Sequence, residues 1–181
     1  EPLQTRPSSA IRPDYCDLWF LYQKTRALRP KVVFEFGSGC STSVIAQAIA
    51  DNANGGVLYS FETAERWAEV TRASIPHHLV DRVEVRSSEP SVRVVHGERG
   101  FVHDGLPDVT PDFVYLDGPA LTQDVQGAID LLEWETRLSP GFQCVVDGRT
   151  ENVKMLRRGL RRNWRFQERP LFYNTVLRLE S

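Results

Sequence analysis

The sequence predicts an α/β fold: a mostly parallel, seven-stranded sheet covered by helices on both faces. Three observations carry this. Short apolar runs alternate with segments of helical period along most of the 181 residues, the pattern of strands joined by crossover helices. The run "KVVFEF" breaks at once into a glycine turn, "GSG", and then a helix-like segment. The last two runs, "WRFQE" and "FYNTVLRL", are joined by only a few residues around Pro170, a link that permits an antiparallel pair but no parallel crossover.

Taken in order, residues 1–13 hold three prolines and several polar residues and read as an extended N-terminal arm. Asp14 caps a helix whose Tyr15, Leu18, Trp19 and Tyr22 fall on one face, the expected core side, and Pro30 marks its end. "KVVFEF" (31–36) is a buried strand, and Ser41 or Thr42 opens the helix "STSVIAQAIA". "VLYSFE" (57–62) is the second strand, and Thr63 caps a helix with Trp67, Val70 and Ile75 in a partial apolar stripe. "RVEVRS" (82–87) is the third strand and "DFVYLD" (112–117) the fourth. Between them, "VRVVHGERGFVHDG" places two extended runs about a Gly-containing turn, an inserted β-hairpin rather than a crossover helix. Thr122 opens a long helix with Val125, Ile129, Leu132 and Leu138 near one face. "FQCVVD" (142–147) is the fifth strand, and Thr150 caps "ENVKMLRRGLRR" before the closing pair.

A chain of this length is most simply one domain, residues 1–181, with room for a sizeable core. A formal net charge of −2 argues against a protein built to coat nucleic acid or an anionic membrane. No apolar run approaches the roughly 20 residues needed to span a bilayer, and no signal peptide is visible. Cys16, Cys40 and Cys144, odd in number and widely spaced, suggest thiols in a reducing compartment, hence the cytoplasm. Cys40, in the glycine turn without an adjacent His or Lys, reads as a small filler rather than a reactive thiol.

In a doubly wound sheet, ligands bind at the carboxyl ends of strands where the strand order reverses. Gly37 and Gly39 lie at such an end. A P-loop would need a lysine followed by Ser or Thr after the second glycine, and none is there. A dinucleotide fingerprint would want a third glycine where Thr42 stands. A tight turn without any ligand is the bland alternative.

"EFGSGCST" resembles the first motif of class I S-adenosylmethionine-dependent methyltransferases, in which an acidic residue precedes a G-x-G turn. The resemblance assigns Glu35, Gly37, Ser38, Gly39, Ser41 and Thr42 to the cofactor site. Glu62, closing the second strand in "YSFE", matches the family's ribose-binding acid. "DFVYLDGP" resembles its fourth motif, which puts Asp117 near the methyl donor, with Gly118-Pro119 turning the chain beneath the site. The closing antiparallel pair fits the fold of this family, which resembles a Rossmann fold with one antiparallel strand added. The likeness runs from about Tyr15 to Leu179. It implies a three-layer Rossmann-like methyltransferase fold, S-adenosylmethionine as cofactor and a small-molecule or sugar-like acceptor methylated at oxygen. Ser88, in "RSSEP", is the expected adenine-side contact.

The catalytic candidates follow from the chemistry. Methyl transfer needs a positioned acceptor and, where required, a base. Asp117 and His103 are the first candidates, with Asp147 and His96 behind them. The histidines lie in the inserted hairpin, which would either reach over the donor or leave them as solvated loop residues. Asp117 and Asp147 end adjacent strands and together offer oxygen ligands to a divalent cation. In metal-dependent O-methyltransferases related to catechol O-methyltransferase, the fifth strand ends Asp-Asp or Asp-Asn. Here it ends Asp147-Gly148-Arg149, so the second ligand is missing unless Asn152 substitutes. Arg149 reads as a partner for an anionic acceptor or for Asp147. Arg157, Arg158, Arg161, Arg162 and Arg165 read as a solvated helix face rather than a nucleic-acid surface. Two other functions stay open from sequence: a non-catalytic binding or scaffold module with the same fold, and a nicotinamide-dependent oxidoreductase.

Overall fold

The computed structural model describes residues 14–120, 122–170 and 173–181; the arm at 1–13 lies outside them. The chain runs α1 (Tyr15–Leu28), β1 (Val32–Phe36), α2 (Cys40–Asn52), β2 (Val57–Glu62), α3 (Glu65–Ser74), β3 (Val83–Ser87), β4 (Pro90–Val95), β5 (Glu98–His103), β6 (Phe113–Leu116), α4 (Asp130–Trp134), β7 (Gln143–Asp147), α5 (Thr150–Gly159), β8 (Trp164–Arg169) and β9 (Asn174–Leu179). The main sheet has seven strands in the order β3-β2-β1-β6-β7-β9-β8. Its strands are parallel except β9, which is antiparallel to both β7 and β8. The predicted hairpin forms a separate two-stranded sheet, β4 with β5. Its turn is closed by His96 and Gly97, both at positive φ, the primed geometry that two-residue hairpin loops favour.

The central strands are apolar on both sides because both faces are covered. On one face Phe34, Phe36, Phe61 and Trp134 pack as an aromatic cluster, with Phe34–Phe61 centroids 5.2 Å apart and Phe36–Phe61 5.3 Å. On the other, Val33, Leu58, Phe113 and Val145 meet Ile45 and Ile49 of α2 and Leu21 of α1.

Asp14 caps α1 as expected, accepting from the Cys16 N–H at 2.7 Å. The inward face, however, is not the predicted one. Leu21 and Thr25 are buried, whereas Tyr15 and Trp19 are 68% and 61% exposed. α1 is docked against α2 by polar contacts that a hydrophobic pattern does not reveal. Asn52 donates to the Thr25 carbonyl (3.0 Å) and Tyr22 donates to Asp51 (2.6 Å). Three helix starts also shift. α2 begins at Cys40, and Thr42 accepts from the Gly39 N–H. α3 begins after Ala64 rather than Thr63, and the N–H of Ala64, its N-cap residue, donates to Glu62. α5 includes Thr150, and no side chain caps it.

The long helix expected from Thr122 is replaced by an irregular segment, a five-residue α4 and a 3-10 turn at Glu135–Arg137. Its apolar positions Val125, Ile129, Leu132 and Leu138 are nonetheless buried. The helix fails because β5 captures the backbone: Phe101 donates to the Gly127 carbonyl and Ile129 to the Phe101 carbonyl. Asn152 of α5, fully buried, then clamps Ala128 at both ends, accepting its N–H (3.0 Å) and donating to its carbonyl (2.8 Å). Gly127 makes this approach possible, since a Cβ there would lie 2.7 Å from the Asn152 amide carbon. α5 itself stops at Gly159, and the carboxylate of buried Glu135 accepts the Arg161 and Arg162 N–H groups beyond it.

Replacing Asn152 by Ala strands a buried N–H and a buried carbonyl. The expected loss is about 2–4 kcal/mol, read as a lower midpoint in urea unfolding at unchanged slope; an unchanged midpoint would mean that the clamp carries no stability.

Candidate active site

The site lies at the carboxyl ends of β1, β2, β6 and β7, where the sheet order turns back across β1. Gly37 leaves β1 at φ +93°, a conformation L side chains avoid. A Cβ there would sit 2.9 Å from the Gly118 nitrogen and 3.0 Å from the Asp117 carbonyl carbon. The turns after β1 and β6 therefore touch backbone to backbone, tied by the Asp117 N–H to the Phe36 carbonyl (2.9 Å).

Glu35 stands directly behind this turn with no exposed surface. Ser41 donates to its Oε1, and Thr42 and Ser60 donate to its Oε2, each at 2.6 Å. Burial pushes its carboxyl up to about 7, against the three hydroxyls, which pull it down. Thr42 is wholly buried and Ser41 nearly so, so these three residues shape the turn from inside.

At the rim, the Glu62 Oε2 accepts the Ser38 N–H (3.1 Å) and hydroxyl (3.2 Å), and its Oε1 accepts the Ala64 N–H. Thr71 of α3 meets the Ser38 hydroxyl at 2.9 Å. Ser88 follows β3, its N–H on the Glu62 carbonyl and its hydroxyl donating to the Asp104 carbonyl, so it ties the second and third strands to the hairpin.

Asp117 opens onto the cleft with half its side chain exposed. Desolvation by the surrounding walls, then the Asp147 charge, push it up to about 7, while Arg149 pulls it the other way. Asp147, raised chiefly by burial, accepts from the Tyr115 hydroxyl at 2.7 Å. Asp17 of α1 is pushed up to about 6 by desolvation and then by Asp147, and accepts from Asn174 at 3.3 Å. Arg149 does not bridge to Asp147 as expected. It donates to the carbonyls of Pro119 (2.7 Å) and Asp117, and its Nε lies 3.9 Å from the Asp117 Oδ1.

His103 is not a solvated loop residue. Its side chain is buried, its ring lies 4.4 Å from Phe36, and its Nδ1 is 3.2 Å from both Asp130 oxygens. Insertion of the hairpin into the aromatic core accounts for this. His96 sits at the far hairpin turn against the Gly159 carbonyl. Asn152, the suggested substitute metal ligand, has both its amide oxygen and its amide nitrogen committed to Ala128. Among the described residues no group of three or more His, Cys, Asp or Glu could hold a metal ion. No helix among them is long and apolar enough to cross a membrane. Of the late arginines, Arg158 pairs with Glu98, Arg162 with the Glu135 and Leu138 carbonyls, and Arg157 with Glu168.

Sequence reasoning missed Ser60, Thr71, Tyr115, Asp17 and Asn174. Ser60 and Tyr115 carried a usable signal: both are polar positions in otherwise buried strands, and the register pairs both with Glu35.

This sheet order, with its single antiparallel strand and a glycine turn at the switch point, defines a class I methyltransferase fold. The methyltransferase domain family model matches residues 34–147, and the chain belongs to that family. No curated protein sequence matches it. Similar solved structures include a methyltransferase from Geobacter sulfurreducens, 19% identical, TM-score 0.66, covering 95% of this chain and 82% of that one. The O-methyltransferase from Bacillus cereus, solved in complex with SAH, is 18% identical with TM-score 0.60 over 99% of this chain and 86% of that one. The O-methyltransferase TomG from Streptomyces achromogenes, involved in tomaymycin synthesis and solved with SAM, is 17% identical with TM-score 0.62 over 96% and 83%.

The Glu35 carboxyl gives a signed pH effect. Unfolded, it ionises near 4.5; folded, it holds its proton to about 7. The native state then binds more protons, so this group's contribution falls as pH rises from 4.5 to 7 and stays low above. Glu35→Gln removes the titration and is expected to flatten the fall of unfolding free energy across that window, measured by urea unfolding at several pH values. A slope equal to wild type would refute the assignment.

Proposed function

We propose that the chain binds S-adenosylmethionine at the ends of β1, β2 and β6 and transfers its methyl group to an oxygen of a small-molecule or sugar-like acceptor. The observation that carries this reading is the meeting of three strand ends. Ser38, at the tip of the glycine turn, holds the Glu62 carboxylate, and Asp117 emerges against the same turn. A carboxylate fixed at the tip of β2 suits the two hydroxyls of a ribose and repels a 2′-phosphate, which favours this cofactor over a phosphorylated dinucleotide. The donor set fits the cofactor: bare backbone at Gly37 and Gly39 for close approach, and an oriented acid beside it. When bound, the cofactor supplies a methyl group already activated on a sulfonium.

The protein's own residues then divide the work. Glu35 stays behind the turn and, with Ser41 and Thr42, fixes where its amides point. Ser88 borders the base side of the site. Asp117, with its carboxyl near 7, holds an ionised fraction at neutral pH that accepts a proton from an acceptor hydroxyl. Asp147, oriented by Tyr115, faces the acceptor side. His103, under Phe36, serves as a buried support of the core rather than a second base. The O-methyltransferases from Bacillus cereus and Streptomyces achromogenes, solved with SAH and SAM, support the reading. A reducing cytoplasm is the compartment that the odd cysteine count suits.

Calorimetric titration with S-adenosylhomocysteine tests it. Binding is expected, with Glu62→Ala weakening it at least about tenfold, or about 1.4 kcal/mol. Absence of any binding to the folded wild-type chain would sink the proposal; an unaltered Glu62→Ala affinity would sink the ribose role.

A further inference from the structure

Beyond the Asp147 end of β7, a cavity of about 460 Å³ opens between α5 and the tip of the β8–β9 hairpin. Its volume is in the range that small-molecule sites occupy. Arg149, Lys154, Arg157 and Arg169 line it, against one carboxylate, Glu168, among the described lining residues. Cations outnumber acids only within the lining itself: Asp117 and Glu151 stand beside Arg149 and Lys154 just outside it, and Arg169 acts on Asp17.

The cavity and the candidate site share Arg149, which lines the cavity while bonding to the carbonyls of Asp117 and Pro119. Arg157 is held in place by its stack on Phe166, 4.8 Å from the centroid, and by Glu168 at 3.0 Å, yet half of its side chain stays exposed. Lys154 makes only an exposed pair with Glu151, an interaction of small worth that a stronger anion displaces. α5 begins at the cavity wall with Thr150, and its N-cap residue, Arg149, makes no side-chain capping bond, so the positive end of a ten-residue helix adds to the field.

Resting on the methyl-transfer reading above, we infer that this cavity holds the anionic group, a phosphate or a carboxylate, of a hydroxyl-bearing acceptor. The anion sits among Lys154, Arg157 and the start of α5, and the hydroxyl points back past Arg149 toward Asp147 and Asp117. The acceptor is thus a small anionic alcohol, such as a phosphorylated or acidic sugar, rather than a neutral one.

The test uses the whole chain saturated with S-adenosylhomocysteine, at constant ionic strength. Inorganic phosphate is titrated first, then a hexose phosphate, a hexuronic acid and the free hexose. Saturable phosphate binding is expected, with the two anionic sugars at least about tenfold tighter than the free hexose; which of them binds better distinguishes phosphate from carboxylate. Lys154→Glu, at an exposed position, should weaken phosphate at least fivefold, and Lys154→Ala with Arg157→Gln should abolish the preference, while the affinity for S-adenosylhomocysteine changes less than about twofold. Equal binding of charged and neutral sugars, or phosphate binding indifferent to both variants, overturns the inference. Failure of S-adenosylhomocysteine to bind overturns the methyl-transfer reading instead, and phosphate titration of the same chain then judges the cavity on its own.

Discussion

A carboxylate with no access to water, Glu35, sits where β1 ends, and its neighbours are arranged to make that tolerable. Burying an acid costs several kcal/mol unless its oxygens are filled. Here three hydroxyls from three positions fill them, Ser41 and Thr42 from the first turn of α2 and Ser60 from β2. Together the bonds fix the start of α2 relative to two strands, and the glycine turn is the piece of chain between. The same Thr42 oxygen accepts the Gly39 N–H, so the turn is held at its far end as well. Sequence neighbours such as Ser38 are then left free to face outward and meet Glu62.

The register extends this arrangement across the sheet. Glu35 pairs with Ser60 on one side and Tyr115 on the other, and Asp147 pairs with Asn174. Because side chains alternate in strands, these polar groups fall on the α1–α2 face near the carboxyl ends, above an otherwise apolar layer. Tyr115 and Asn174 donate to Asp147 and Asp17. Desolvation first, and then the neighbouring Asp147 charge, raise the proton affinity of Asp117 toward neutrality. Arg149 reaches into this group and acts more on backbone carbonyls than on the acids themselves, while Arg169 lowers the proton affinity of Asp17.

Much of this was legible beforehand. Strands buried on both faces read as apolar runs, so all seven sheet strands and the hairpin were recognisable, and the antiparallel close followed from the short link at Pro170. The glycine turn, Glu62 and Asp117 were recognisable by type and position. The errors share a cause. The outward face of α1 and the collapse of the helix expected from Thr122 depend on Asn52 and Asn152, which bond to backbone groups 27 and 24 residues away. His103 was visible as a candidate base, but its burial depends on where the hairpin inserts.

The sequence by itself determined which segments are strands and helices, which turn carries glycine and which acids stand at strand ends, because local period and turn chemistry are properties of adjacent residues. Tertiary structure decided which of those acids are dry, which face one another and which cations approach them. Proton affinity and recognition depend on distances between elements remote in the chain, and those distances are set only when the sheet closes around Glu35.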